Sequence, residues 1–214
     1  MRGRTGIGVL GALAVGGCIG TSFGGDRPEM AYLPPSSPPA VVPGAYVGQP
    51  RFLVFGNVVD RLVQQGLEIQ TSDQEAGRIV AIYWGDPAPY IDCGWIVTYD
   101  DDGLESTPAA APSASFERRL NGRIVDVERE MDLNAVLSVD VSERGSATVV
   151  RTTSDYALTK KALAPGRGRP LGDETIRFGT GETASFEIGT TCQPNGEFER
   201  LVLDALPSVT LPGG

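Results

Sequence analysis

The chain predicts an α+β fold, in which a twisted antiparallel sheet of five to six strands is packed by an N-terminal and a C-terminal helix. Three observations carry this expectation. Apolar and polar residues alternate along two long stretches, 125–141 and 148–163, with only Glu143-Arg144-Gly145 to turn the chain between them. Apolar residues recur at helical spacing in two places, one before the strands and one after them. A length of 214 residues with 41% apolar content suits one domain, or at most two.

Composition removes whole classes of chemistry. There is no histidine, which excludes Ser-His-Asp triads, Cys-His dyads and His-ligated metals. The formal net charge of -9 argues against a nucleic-acid partner, which needs a basic face. No run of 18 apolar residues exists, so no segment reads as a membrane-spanning helix.

The first element is a targeting segment over residues 1–17. Arg2 and Arg4 make a positive start, Ile7 to Val15 a short apolar core, and Val15-Gly16-Gly17 leads into Cys18. An apolar residue three before a Cys, with small residues between, resembles the lipobox of bacterial lipoproteins. That resemblance implies cleavage before Cys18 and diacylation of its thiol; an ordinary secretory signal with an incidental Cys is the plainer alternative. Multiple acyl chains hold a protein to a bilayer far more firmly than one. Removing 1–17 costs two arginines and no acids, leaving the rest two charges more acidic than the whole chain. An acidic body near an anionic surface is repelled, so an anchor followed by a spacer is physically sensible. Ile19, rather than Asp, follows the Cys, which by the same resemblance favours the periplasmic face of the outer membrane over the inner membrane.

Residues 18–50 then read as that spacer. Seven of the sixteen prolines lie here, and no period of 2 or 3.6 is visible. About thirty extended residues would reach nearly 100 Å. A strand that orders on a partner is the alternative reading.

The body spans residues 51–207, with 208–214 as a disordered tail. Phe55, Val58, Val59, Leu62 and Val63 mark the buried face of a first helix, which Gly66 ends. Leu67 to Thr71 and Arg78 to Trp84 read as strands around a turn at 72–77. A third strand surrounds Cys93, and residues 100–115 read as a polar loop. Asn121-Gly122 signals a hairpin. From Val125 to Val141 the apolar residues share one face, interrupted by Arg129, where a bend or bulge is expected. Thr148 to Leu163 is the next strand, and Ile176 to Ile188 the last. The closing helix carries Phe198, Leu201, Val202, Ala205 and Leu206 on one face. Gln193 or Asn195 is its cap, Glu197 and Glu199 lie at its positive end, and Pro207 stops it.

With Cys18 assigned to the lipid, Cys93 and Cys192 form an even pair, and in an oxidising compartment they are expected to be disulfide-bonded. Two buried free thiols are the alternative. The loop of residues 94–191 gives such a bond roughly 4 to 5 kcal/mol on the chain-entropy view.

Sites of chemistry are sparse. Asp100-Asp101-Asp102-Gly103 with Glu105 has oxygen ligands for Ca²⁺ but not the EF-hand spacing, and reads as a turn. Glu117, Glu128, Glu130 and Asp132 interleave with Arg118, Arg119 and Arg129, which reads as ion pairing on a solvated face. Thr152, Thr153, Ser154 and Tyr156 look like edge-strand composition. Lys160, Lys161, Arg167 and Arg169 form one basic cluster at a hairpin end, a candidate contact for lipid headgroups or else a solubilising loop. No catalytic residue, metal ligand or cofactor site is assigned.

Cys18, the Pro-rich stretch, the helix running into Gly66-Leu67-Glu68-Ile69, the strand from Arg78 to Trp84 and the closing helix together resemble BamC/NlpB-type lipoproteins of the β-barrel assembly machinery. They also resemble a broader set of lipoproteins with helix-grip-like domains, whose marks Asp92-Cys93-Gly94 and Gly196-Glu197-Phe198-Glu199 look like. The resemblance implies a helix-grip-like domain and a non-enzymatic envelope interaction module, with outer-membrane protein assembly as its setting. It supplies no binding residue. The alternative is a carrier or sensor in which Tyr156, Phe178, Phe186 and Phe198 line a pocket for a hydrophobic small molecule.

Overall fold

The computed structural model describes residues 31–41, 44–100, 103–120, 122–164, 169–187 and 189–206. Two short strands, β1 (Ala31–Leu33) and β2 (Ala45–Val47), precede helix α1 (Arg51–Gln64). Then come β3 (Glu68–Asp73), β4 (Arg78–Gly85), β5 (Ile91–Asp92), β6 (Trp95–Asp100), β7 (Gly103–Pro108) and β8 (Ser113–Leu120). The long hairpin of β9 (Arg123–Arg144) and β10 (Ala147–Ala164) follows. The chain closes with β11 (Arg169–Gly179), β12 (Ala184–Ser185), β13 (Thr191–Pro194) and α2 (Glu197–Leu203).

The α+β class with an antiparallel sheet holds, but the main sheet has seven strands rather than five or six. Its spine is the β9–β10 hairpin, paired without a slip from Ala147 opposite Arg144 to Leu163 opposite Glu128. Each long strand is flanked twice. β9 pairs with β8 along its first half and with β4 along its second. β10 pairs with β2 near its start and with β11 along its second half. Two three-stranded sheets, β1-β6-β7 and β12-β13-β5, complete the fold. The stretch 100–115, expected to be a loop, instead supplies β7 and the start of β8.

Period 2 decides which sheet face is buried. Val127, Met131, Leu133, Ala135, Leu137, Val139 and Val141 of β9 point inward, as do Val150, Tyr156 and Leu158 of β10. Val54, Phe55, Val58 and Leu62 of α1 and Phe198 and Val202 of α2 join the same apolar cluster, so both helices roof this inner face. The buried stripe of α1 is rotated slightly from the expected one: Val54 is buried, and Val63 is exposed. Gly66, at φ 80°, ends the helix turn as its tolerance of the left-handed region allows.

The expected bulge at Arg129 is absent; β9 and β10 stay in register through Arg129 opposite Ala162. Arg129 is nearly fully buried on the inner face. Its Nη1 donates to Ala109 O at 2.6 Å and its Nη2 to Ala111 O at 3.1 Å. Two backbone carbonyls therefore do what a bend was expected to do.

The Pro-rich stretch is not a spacer along its whole length. From Ala31 onward it lies against the body. Tyr32 Oη donates to Thr191 O and accepts from Thr191 N. Gln193 Nε2 donates to Ser37 O at 2.7 Å, Ala40 N to Pro194 O, and Thr148 Oγ1 to Gln49 O. Proline costs this strap little, because β1 and β2 take residues that carry their own N–H groups.

Candidate functional site

Cys93 and Cys192 are disulfide-bonded and fully buried, so the thiol alternative gives way to the expected bond. Cys18 and Arg167 lie outside the described residues.

Lys160 and Lys161 do not act as one cluster. Lys160 and Lys161 are neighbours on β10 and so point to opposite sheet faces. The inward Lys160 places Nζ 3.3 Å from Glu174 and 4.1 Å above the Phe186 ring. The outward Lys161 lies 3.5 Å from Asp132. Arg169 opens β11 opposite Ala164. Strand alternation thus divides what sequence proximity had grouped.

Arg129 likewise does not belong to the solvated face of Glu117, Glu128 and Glu130. Asp101 and Asp102 lie outside the described residues, and no group of acids or cysteines among those described could hold a metal. Thr152, Ser154 and Tyr156 sit on a central strand facing the core rather than on an edge.

A closed polar cluster lies under α2. Glu199 is 0% exposed, and its Oε1 accepts from Tyr156 Oη and from Thr180 Oγ1, both at 2.9 Å. Burial, reinforced by the Glu199 carboxylate, pushes the Tyr156 hydroxyl well above the usual tyrosine range. Tyr156 stacks on Phe178 at 5.4 Å between centroids and tilts against Phe198 at 6.0 Å. These rings fill the core by packing on one another. Glu197 and Glu199 lie in the first turn of α2, as expected; starting from Gly196 at φ 85°, the helix also buries Glu199.

The outer face of the main sheet is different, because neither helix covers it. Register builds it row by row. Trp84, Asn134, Ala157 and Arg177 stand opposite one another across β4, β9, β10 and β11. The next row is Ile82, Val136, Asp155 and Gly179, and the next Val80, Ser138 and Thr153. A shallow groove of about 390 Å³ is lined by Asn134, Val136, Asp155, Ala157, Arg177 and Glu182. A second, of similar volume, lies further along by Arg78, Ser138, Asp140 and Arg151. Trp84, beside Asn134, is 66% exposed. The sequence held a signal for this face: Val80, Ile82 and Trp84 make β4 apolar on its second side as well as on its Ile79–Ala81 side.

Comparison of the chain with protein-family models, with curated proteins and with solved structures finds no match.

Proposed function

We propose that the chain is an exported, lipid-anchored binding protein of the bacterial cell envelope, held by Cys18 at the periplasmic face of the outer membrane, and that it binds rather than catalyses. The observation that carries the reading is the open outer face of the seven-stranded sheet, with half-exposed apolar residues at its centre and charges around them. The buried disulfide supports an oxidising compartment. The acid–hydroxyl pair best suited to moving a proton, Glu199 with Tyr156, is sealed from solvent, which supports binding over catalysis. Two helices laid on one face of a long hairpin support a helix-grip-like arrangement.

The test has two arms in cells making the full chain. Parent and Cys18→Ser proteins are fractionated and labelled with palmitate. The reading expects label and membrane association only for the parent; equal membrane association of both overturns the anchor. A photocrosslinking residue is placed at Ile82 or Thr153 on the outer face, and at Asp60 on α1. Outer-face crosslinks to an envelope macromolecule, absent at Asp60, support the binding face. Their absence overturns it.

A further inference from the structure

We propose that the groove beside Trp84 is a binding site for a neutral glycan. The inference rests on the reading of the outer sheet face as a binding surface, and names what that surface takes.

The groove joins two kinds of surface that rarely suit the same ligand. One is a platform at the edge of the groove: the exposed Trp84 and the half-buried Ile82 stand in register beside Asn134 and Val136, and Val136 and Ala157 line the groove itself. An indole left this exposed on a sheet presents a broad flat apolar surface, and its electron-rich face attracts polarised C–H groups. The other is a set of planar polar groups. Asn134, Asp155 and Arg177 all line the groove. None of the three makes a side-chain hydrogen bond or ion pair to a described residue; Asp155 and Arg177 are exposed, whereas the Asn134 Oδ1 is turned away from solvent and leaves only its amide nitrogen to the groove. Glu182, by contrast, is spent locally, accepting from Gly179 N at 2.8 Å. Donors and acceptors are thus held ready, unpaired, beside an aromatic plane.

A pyranose ring satisfies both surfaces at once. Its C–H face lies on an indole, and its equatorial hydroxyls donate and accept in adjacent pairs. A carboxylate accepts two such hydroxyl protons; a guanidinium or carboxamide returns donors. The charges favour neither sign strongly. An anionic ligand gains Arg177 but meets Asp155 and Glu182; a cationic one gains Asp155 but meets Arg177, and Glu182 already accepts from Gly179 N. A purely apolar ligand would leave three polar side chains desolvated and unpaired, at about 1 to 3 kcal/mol each. The row from Trp84 to Arg177 crosses three strand spacings, about 14 Å, enough for a short oligosaccharide rather than a single sugar. The groove is open and shallow, as a site for an internal stretch of a longer glycan must be.

The test uses the full chain with Trp95→Phe, which leaves Trp84 as the one indole. Chitotriose, maltotriose and cellotriose are titrated while its emission is followed, and binding is repeated by calorimetry. At least one trisaccharide is expected to shift the emission saturably. In the Trp95→Phe background, Trp84→Ala is expected to weaken the calorimetric affinity at least about tenfold, and Asp155→Ala and Arg177→Ala severalfold, with thermal midpoints near the parent's. All three side chains lie on the outer face, so the fold does not depend on them. No saturable response to any of the three sugars at millimolar concentration overturns the inference, as does affinity undiminished by Trp84→Ala. Outer-face photocrosslinks that persist without sugar binding overturn the glycan and leave the binding face standing. Loss of both removes both.

Discussion

The Glu199 carboxyl has two oxygens, both buried, and only Oε1 has partners. Tyr156 supplies one of the two donors, so the cluster depends on the phenol staying protonated. Because burial raises the Tyr156 hydroxyl, the native state keeps this proton above about pH 10, where the unfolded chain releases it. The native state then binds more protons, and stability falls as pH rises beyond that point. Tyr32, Tyr83 and Tyr90 are raised in the same direction, chiefly by burial. Urea denaturation from neutral to alkaline pH is expected to show this loss. Tyr156→Phe is expected to cost about 1 to 3 kcal/mol at neutral pH, by leaving a carboxyl oxygen short of a donor, and to flatten the alkaline decline. Arg129 obeys a related logic. Burial lowers its guanidinium to about 10, which still leaves it charged at neutral pH. Arg129→Ala removes two donors from buried carbonyls and opens a cavity, an expected loss of about 3 kcal/mol by denaturant titration. Arg129→Lys is expected to recover only part of it, since a single ammonium cannot span both carbonyls as the fork does.

Between residue and molecule, the strap over residues 31–50 is the element that the sequence hid. Proline count argued for a tether, whereas β1 and β2 need only three paired residues each, too few for any period to register. Gly94 shows how closely the strap lies: at φ 75°, a Cβ there would stand 2.0 Å from Leu33 O. Gly94→Ala is therefore expected to lower the thermal midpoint by lifting β1 from β6. Truncation before Ala31 is expected to leave the midpoint unchanged. Truncation before Arg51 is expected to lower it sharply, at about 1 kcal/mol for each backbone bond lost. Other elements were legible for the opposite reason. α1 and the β9–β10 hairpin are long, with periods sustained over many residues, so their patterns outweigh local exceptions. The burial of Arg129 and of Glu199 was not legible, because a charged side chain reads as exposed until its partners are known, and those partners lie on distant segments. The groove was illegible because Trp84, Asn134, Asp155 and Arg177 come from four strands and meet only through register.

Across the whole molecule, the disulfide joins residues 99 apart and ties the β5–β6 corner to the approach to α2. Both sulfurs lie in the core, so an external thiol reaches them only when the domain opens. Reductant alone is expected to act slowly on the native protein and quickly once denaturant is present, as read by thiol titration. After reduction the denaturation midpoint is expected to drop, reflecting a loss of stability of up to roughly 4 to 5 kcal/mol on the chain-entropy view.

The strap also bears on how near the bilayer the domain sits. If an acylated Cys18 is the mooring, only residues 18–30 separate it from β1, and even drawn out straight they measure about 45 Å. A leash running all the way to α1 would measure more than twice that. The glycan or other macromolecule that meets Trp84 would then have to come within this short radius of the membrane, because the domain itself lacks the slack to swing out and collect it.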